Sequence, residues 1–243
     1  AEVNNEFIGF ELASNSTELF VSRSSHKRED ITDVSPKVYV YKPVENANGI
    51  LTTVLLRQTI TQISHTVNDG FGYSIDANDD WLVIGAPGRD YYFNDHDTGQ
   101  LKPAIPGKVY IYKKNTETLQ WDLNTTIDSS TQINNEVLGE NSRFGFSVSI
   151  NDSYVAIGCP RDRELVDGVN EYEFGSVFIY SLDSDSEAWT FNQKIDYSDI
   201  DPVAFNNFGL LEVMDQQLFG YKVDLSNNSL LVSFISSDFP FQV

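Results

Sequence analysis

Phe71 to Pro87 reads FGYSIDANDDWLVIGAP, and Phe144 to Pro160 reads FGFSVSINDSYVAIGCP. The same phrase returns after one period of 73 residues, and self-similarity of this kind outranks every local signal in deciding a fold. A third copy starts at Phe219 as FGYKVDLSNNSLLVSFI, and a degraded one starts at Ile8 as IGFELASNSTELFVSRS. Each of the first three copies in chain order leads into an alternating apolar segment: Lys37 to Lys42 (KVYVYK), Lys108 to Lys113 (KVYIYK) and Ser176 to Ser181 (SVFIYS). Two of these lead on to a segment opened by tryptophan, Trp121 to Ile127 and Trp189 to Ile195.

The alternation has a period of two, which belongs to half-buried strands, and no long segment carries a helical period. Each unit therefore predicts four strands, A to D. A four-stranded unit that must stack on its neighbours to bury both faces is a propeller blade. A solenoid needs a much shorter period, and a sandwich gives no reason for one phrase to recur. The expected fold is an all-β propeller region over 1–243. Its blades fall at about 7–63, 71–127 and 144–195, with a partial fourth at 219–243, about 3.5 blades in all. Propellers close with about four to eight blades, so the expectation is a part of a larger ring, or a ring completed by another chain.

Composition narrows the function. Of 243 residues, 40 % are hydrophobic, enough for a core, and 13 % are aromatic. Sixteen Lys and Arg against 36 Asp and Glu leave a net charge of −20, which repels a phosphate backbone and makes nucleic acid an unsuitable partner. The single cysteine, Cys159, rules out an internal disulfide framework, a four-cysteine zinc site and a CxxC pair. No apolar run is long enough to span a bilayer.

The phrase itself, FG followed by an apolar strand ending GAP or GCP, then GxVYIY and a Trp-opened strand, resembles the FG-GAP repeat of integrin α-subunit head propellers and of related secreted or viral proteins. The resemblance implies a β-propeller serving adhesion or assembly, on a cell surface, on a virion surface or otherwise outside the cell. Physically, Phe71, Gly72, Gly85, Pro87, Phe144, Gly145, Gly158, Pro160, Phe219 and Gly220 are expected to build the fold: the FG glycines fit where inner strands crowd the axis, and Gly85-Ala86-Pro87 ends a strand.

In an up-and-down blade the A-B and C-D turns emerge at one end and the B-C and D-A connections at the other. The A-B turns are short and centred on Asn78-Asp79, Asn151-Asp152 and Asn227-Asn228, residues that tolerate hairpin φ values. The connections at the other end, Gly88 to Pro106, Arg161 to Phe174, Asp128 to Arg143 and Asp196 to Gln217, are far longer than usual and carry over half of the net negative charge. Function gathers on such loops. The expected partner-binding residues are Tyr91, Tyr92, Phe93, Asp95, Asp97, Tyr172, Glu173 and Tyr197, whose rings and carboxylates suit a sugar face, a basic protein patch or a cation-bridged contact.

Calcium is the one cofactor with a candidate site. The family's DxDxDG-like loop between strands A and B is missing here, and the remaining carboxylates in suitable runs are Asp95 with Asp97 and Asp183 with Asp185. Catalytic motifs are absent from the sequence: His26, His65 and His96 lack metal-ligand spacing, no GxSxG elbow occurs, and GAPGRD lacks the residues of a phosphate loop. The paired carboxylates Asp162 and Glu164, and Asp199 and Asp201, are the places where glycosidic chemistry could reside. Sequons stand at Asn15, Asn124, Asn151 and Asn227. The reading is a non-enzymatic module that binds a protein or a glycan through the long-connection face. The alternatives are a propeller-scaffold glycoside hydrolase or lyase, and a structural assembly subunit with other chains as partners.

Overall fold

The structure, a computed structural model, describes residues 8–23, 36–62, 69–88, 105–131, 133, 138, 141–165, 171–196, 199, 218–227 and 229–234. Sixteen strands and no α-helix occur among them. The first sheet is β1 (Ile8–Ser14), β2 (Leu19–Arg23), β3 (Lys37–Glu45) and β4 (Leu51–Thr61), antiparallel and in sequence order. The second repeats the pattern with β5 (Ser74–Ala77), β6 (Trp81–Ala86), β7 (Lys108–Lys114) and β8 (Trp121–Asp128). The third has β9 (Ser147–Ile150), β10 (Tyr154–Cys159), β13 (Ser176–Asp183) and β14 (Ala188–Asp196), and between β10 and β13 the chain adds a ribbon of β11 (Arg163–Leu165) and β12 (Glu171–Glu173). In the fourth, β15 (Lys222–Leu225) pairs with β16 (Leu230–Ser233). These are propeller blades, and β1, β5, β9 and β15 lie side by side as the inner strands.

Alternation explains the packing. In β6 and β10 every second residue faces forward, toward the next blade, and the others face back. Leu82, Ile84, Tyr110 and Tyr112 of the second blade are buried against Phe20, Val38 and Val40 of the first. Trp81, Val83, Val109 and Ile111 of the second are buried against Val148, Val155, Ile157 and Tyr180 of the third. Both faces of the second and third blades are therefore covered, which is why their B and C strands read as almost unbroken apolar runs.

The repeated phrase has a definite geometry. Tyr73 N–H donates to Gly70 O at 2.9 Å, Phe146 N–H to Arg143 O at 3.0 Å and Tyr221 N–H to Leu218 O at 3.2 Å. Phe-Gly is the centre of each turn, with φ of 78°, 86° and 84° at Gly72, Gly145 and Gly220, the positive value that a type II turn demands of its third residue. The N–H groups of Gly72 and Tyr73 then converge on Gly85 O, and those of Gly145 and Phe146 on Gly158 O, so FG and GAP meet as donor and acceptor.

Crowding falls on both glycines of the phrase: a Cβ on the FG glycines Gly145 and Gly220 would stand 2.8 Å from Lys108 O and 2.5 Å from Ser176 O, and the GAP glycines are tighter still. A Cβ on Gly85 would stand 2.2 Å from Gly145 O, and one on Gly158 would stand 2.1 Å from Gly220 O. The GAP glycine of one blade and the FG glycine of the next together let the two blades approach. Beside the GAP glycine, Ser74 Oγ donates to Gly145 O and Ser147 Oγ donates to Gly220 O, both at 2.9 Å. Forward-facing groups also cap the free edge of the next inner strand: Ile150 N–H donates to Asp76 Oδ2 at 2.8 Å, and Leu225 N–H donates to Ser149 Oγ at 3.0 Å. Inner strands would otherwise expose unpaired amides.

Candidate functional site

The residue that follows each FG pair, or Ile8-Gly9 in the first copy, is aromatic: Phe10, Tyr73, Phe146 and Tyr221. The same turn stands ahead of the second, third and fourth inner strands, and Gly9 shares its positive φ at 84°, so the four rings emerge at equivalent places and meet. Phe10 lies 5.1 Å from Tyr73, Tyr73 lies 4.7 Å from Phe146, and Phe146 lies 5.0 Å from Tyr221 between ring centroids, with tilts of 48°, 46° and 48°. All four are half-buried. The row stands where the inner strands begin, the end at which the B-C and D-A connections emerge. Burial and the neighbouring Tyr221 and Glu11 push the Tyr73 phenol up to about 12, so that ring stays neutral at physiological pH.

Charges flank it. Glu11 and Lys222, one residue further along the first and fourth inner strands, approach to 3.9 Å between Oε1 and Nζ, so the arc of blades curves far enough for its first and last inner strands to exchange a contact. Arg143, held at φ 63° just before Phe144, donates from Nη1 to Gly88 O at 3.2 Å and ties the second blade to the third at this end. Beneath the first two blades, Asp69 is almost fully buried. Its Oδ1 accepts Phe71 N–H at 3.1 Å, its Oδ2 is held by the Gln62 amide, and desolvation raises its pKa to about 6. A row of edge-tilted rings beside both signs of charge can stack on a sugar face, or hold a cation against the ring faces.

Among the residues expected from sequence to bind a partner, Tyr91, Tyr92, Phe93, Asp95, Asp97 and Tyr197 lie outside the described residues. Tyr172 is on β12, and Glu173 closes that strand. The third blade's B-C connection, expected as a long loop, is in part the β11–β12 ribbon, registered from Arg163 opposite Glu173 to Leu165 opposite Glu171. Glu173 is committed within it: Arg163 Nη2 lies 2.9 Å from Oε1 and Arg161 Nε 3.8 Å from Oε2. Asp162, one half of a carboxylate pair considered for glycosidic chemistry, is buried, accepts Ser176 Oγ at 2.8 Å and pairs with Lys194 at 2.9 Å. It anchors the ribbon to its own blade. Asp199 accepts the Asp196 N–H at 3.2 Å, while Asp201 and all three histidines lie outside the described residues.

At the opposite end, the A-B turns depart from expectation. None of their described asparagines or aspartates takes a positive φ. Asn78 Oδ1 instead accepts the N–H groups of Asp80 and Trp81 at 3.0 and 2.7 Å, and Asn151 Oδ1 those of Ser153 and Tyr154 at 2.9 and 2.8 Å. The side chain takes over the carbonyl's part in the turn. Its amide reaches the next blade, from Asn15 Nδ2 to Asn78 O at 3.1 Å and from Asn151 Nδ2 to Ser226 O at 2.9 Å. Two sequon amides are thus spent on holding blades together, whereas Asn124 and Asn227 are exposed. Asp183 Oδ1 caps its own turn by accepting Asp185 N–H at 2.9 Å, and these hydrogen bonds hold its carboxyl below the usual range. Among the described residues no group of three or more His, Cys, Asp and Glu side chains is placed to hold a metal. Cys159 is fully buried with its thiol pushed well up, directly opposite to an activated nucleophile.

Sequence reasoning missed the axial ring row, although its signal was inside the repeated phrase: an aromatic at the same offset in all four copies. Against known proteins, residues 56–112 match the family model described as the FG-GAP repeat, a stretch that runs from within β4 to within β7. No curated protein matches the chain. The chain carries an FG-GAP repeat, and such repeats build β-propeller modules that typically serve binding or adhesion and are typical of extracellular proteins. Among the described residues no helix is long and apolar enough to cross a membrane.

Proposed function

Starting from propeller blades that carry an FG-GAP repeat, we propose that this protein is a non-enzymatic extracellular or surface interaction module whose partner, a protein or a glycan, docks on the long-connection face. The observation that carries the reading is the ring row Phe10–Tyr73–Phe146–Tyr221, set at the mouth of the inner strands on that face. Rings packed only for stability would be sealed under the blades like Phe71 and Phe144, which are 0 % exposed. These four stay partly open. The sequence excess of acid on this face favours a basic protein segment, whose cations gain both from the rings and from the surrounding field.

The experiment is a titration of the full chain with a Lys- and Arg-rich peptide and, separately, with an array of neutral oligosaccharides. Tyr73→Ala and Phe146→Ala should each weaken capture of whichever probe binds, by about tenfold for a loss of about 1.4 kcal/mol. Binding that survives both substitutions unchanged would remove the row from the site.

A further inference from the structure

Of the four Asn-x-Ser/Thr sequons, three stand at blade junctions and one does not. Asn15 and Asn151 are half-buried, and their amides already donate to Asn78 O and Ser226 O of the next blade at 3.1 and 2.9 Å. A sugar on either Nδ2 would have to fit between two blades. Asn227 takes the turn position of Asp79 and Asp152, which accept the Ser16 N–H and the Asn78 amide from the blade before at 2.9 and 3.4 Å, so it too borders a junction.

Asn124 lies on β8, the outermost strand of the second blade, whose far edge has no strand beside it among the described residues. Its side chain is exposed and makes no hydrogen bond among the described residues, and the same holds for the side chain of Thr126, the hydroxyl residue of the sequon. The register explains that exposure. Thr125 is opposite Ile111 and Leu123 is opposite Tyr112, so Asn124 is the extra residue of a β-bulge, a geometry that re-aims a side chain. Arg57 and Asn192 occupy the same bulge in the first and third blades, so a polar side chain at this place is a property of the blade. Beside Asn124, Lys114, Asn115, Asp122 and Leu123 line an open hollow of about 450 Å³, so a first sugar on Nδ2 enters polar, unfilled space.

We propose that Asn124 is the N-glycan acceptor of this chain and that its oligosaccharide covers the outer edge of the second blade. In the transfer, Nδ2 loses one proton and bonds the anomeric carbon of an oligosaccharide carried on a lipid diphosphate. The bond from that carbon to the diphosphate oxygen breaks, the lipid diphosphate leaves with the electron pair, and nothing is oxidised or reduced. A glycan here keeps the free amides of an edge strand from pairing with another chain. It sits on an outermost strand while the ring row sits on the innermost ones, so the docking face stays open. The proposal rests on the extracellular reading, because donor and transferase meet a chain in the secretory lumen.

The test directs the full chain into the secretory pathway of cultured animal cells and analyses the secreted protein with peptide N-glycosidase, which converts each occupied Asn to Asp and so marks it by mass. The expected result is conversion at Asn124 in most chains and none at Asn15, Asn151 or Asn227. The accompanying gel shift should be lost in Asn124→Gln and in Thr126→Ala and kept in Thr126→Ser. Equal melting temperatures for these variants after deglycosylation separate loss of the acceptor from misfolding. A secreted wild type without a shift, a shift that survives Asn124→Gln, or occupancy at Asn15 or Asn151 equal to that at Asn124 would each overturn the proposal. A chain from its own cells that lacks the glycan, where the directed chain carries it at Asn124, would instead overturn the extracellular reading.

Discussion

The junction of the second and third blades and the junction of the first and second are built from the same repeat and held by different atoms. Between the second and third, the contacts are made by inner strands: the Ser74 hydroxyl on Gly145 O, the Asp76 carboxylate on Ile150 N–H, and Gly85 pressed against a carbonyl that leaves no room for a Cβ. Between the first and second, Ser22 replaces the GAP glycine and Glu11 replaces the forward serine, so the hydroxyl changes strand and accepts Glu11 N–H at 3.0 Å. Ala13 cannot cap the next edge, and the Ala77 N–H turns to Asp76 Oδ1 of its own blade at 2.9 Å. Stabilisation moves outward instead. Gln58 of β4 bonds both backbone groups of Trp121 at 2.9 and 2.8 Å, while Glu18 pairs with Lys114 at 2.8 Å and accepts the Trp121 indole at 3.2 Å. The phrase that marks the repeat is therefore an interlock between inner strands, and where it decays the outer strands take over.

The largest expected effect breaks the inner interlock. Gly158→Ala forces a Cβ to 2.1 Å from Gly220 O, so it should cost about 3 kcal/mol or more in denaturant unfolding, whereas Ser22→Ala at the equivalent place should cost about 1 kcal/mol. Equal losses would erase the distinction. Next comes the outer stitch: Glu18→Ala leaves the Lys114 ammonium and the Trp121 indole N–H without their partner at a largely buried site, and should cost about 2 kcal/mol.

Asp69 sharpens the comparison through pH. Its carboxyl has a folded pKa of about 6 against an ordinary aspartate value of 3.8, so the folded state binds the proton more tightly. That contribution is fully present below the unfolded value and is lost as pH rises through about 6. The protein should therefore gain about 1 kcal/mol from this group between pH 7 and pH 5, with a flat response in Asp69→Asn measured by the same melts. At lower pH the paired Asp128, held below its usual value against the burial cost by Lys108 and Ser130, should reverse the trend. The smallest effects lie at the short turns. Asn151→Ala loses two turn bonds and one inter-blade bond and should cost about 1 kcal/mol, while Asp185→Ala should stay within about 0.5 kcal/mol.

Most of the blade was legible because period-two alternation and a returned phrase are set by local sterics and burial, which one sequence displays. The roles inside the phrase were less so. Gly85 could be read as a strand end crowded near the axis, but the atom that crowds it, a carbonyl 60 residues downstream, is one that no local pattern reveals. Asn78 and Asn151 looked like φ-tolerant residues, and only coordinates show the side-chain oxygen acting as a carbonyl. The ring row was hidden for a similar reason: each aromatic reads as one more core residue until the curvature of four blades sets them edge to edge.

Native-state hydrogen exchange separates the two kinds of junction most directly. If inner interlocks bind the second, third and fourth blades more firmly than outer stitches bind the first, amides of β5, β6, β9 and β10 should share one high opening free energy, and those of β2 and β3 should open at a lower one. Protection of β2 and β3 equal to or above that of β9 and β10 would contradict it.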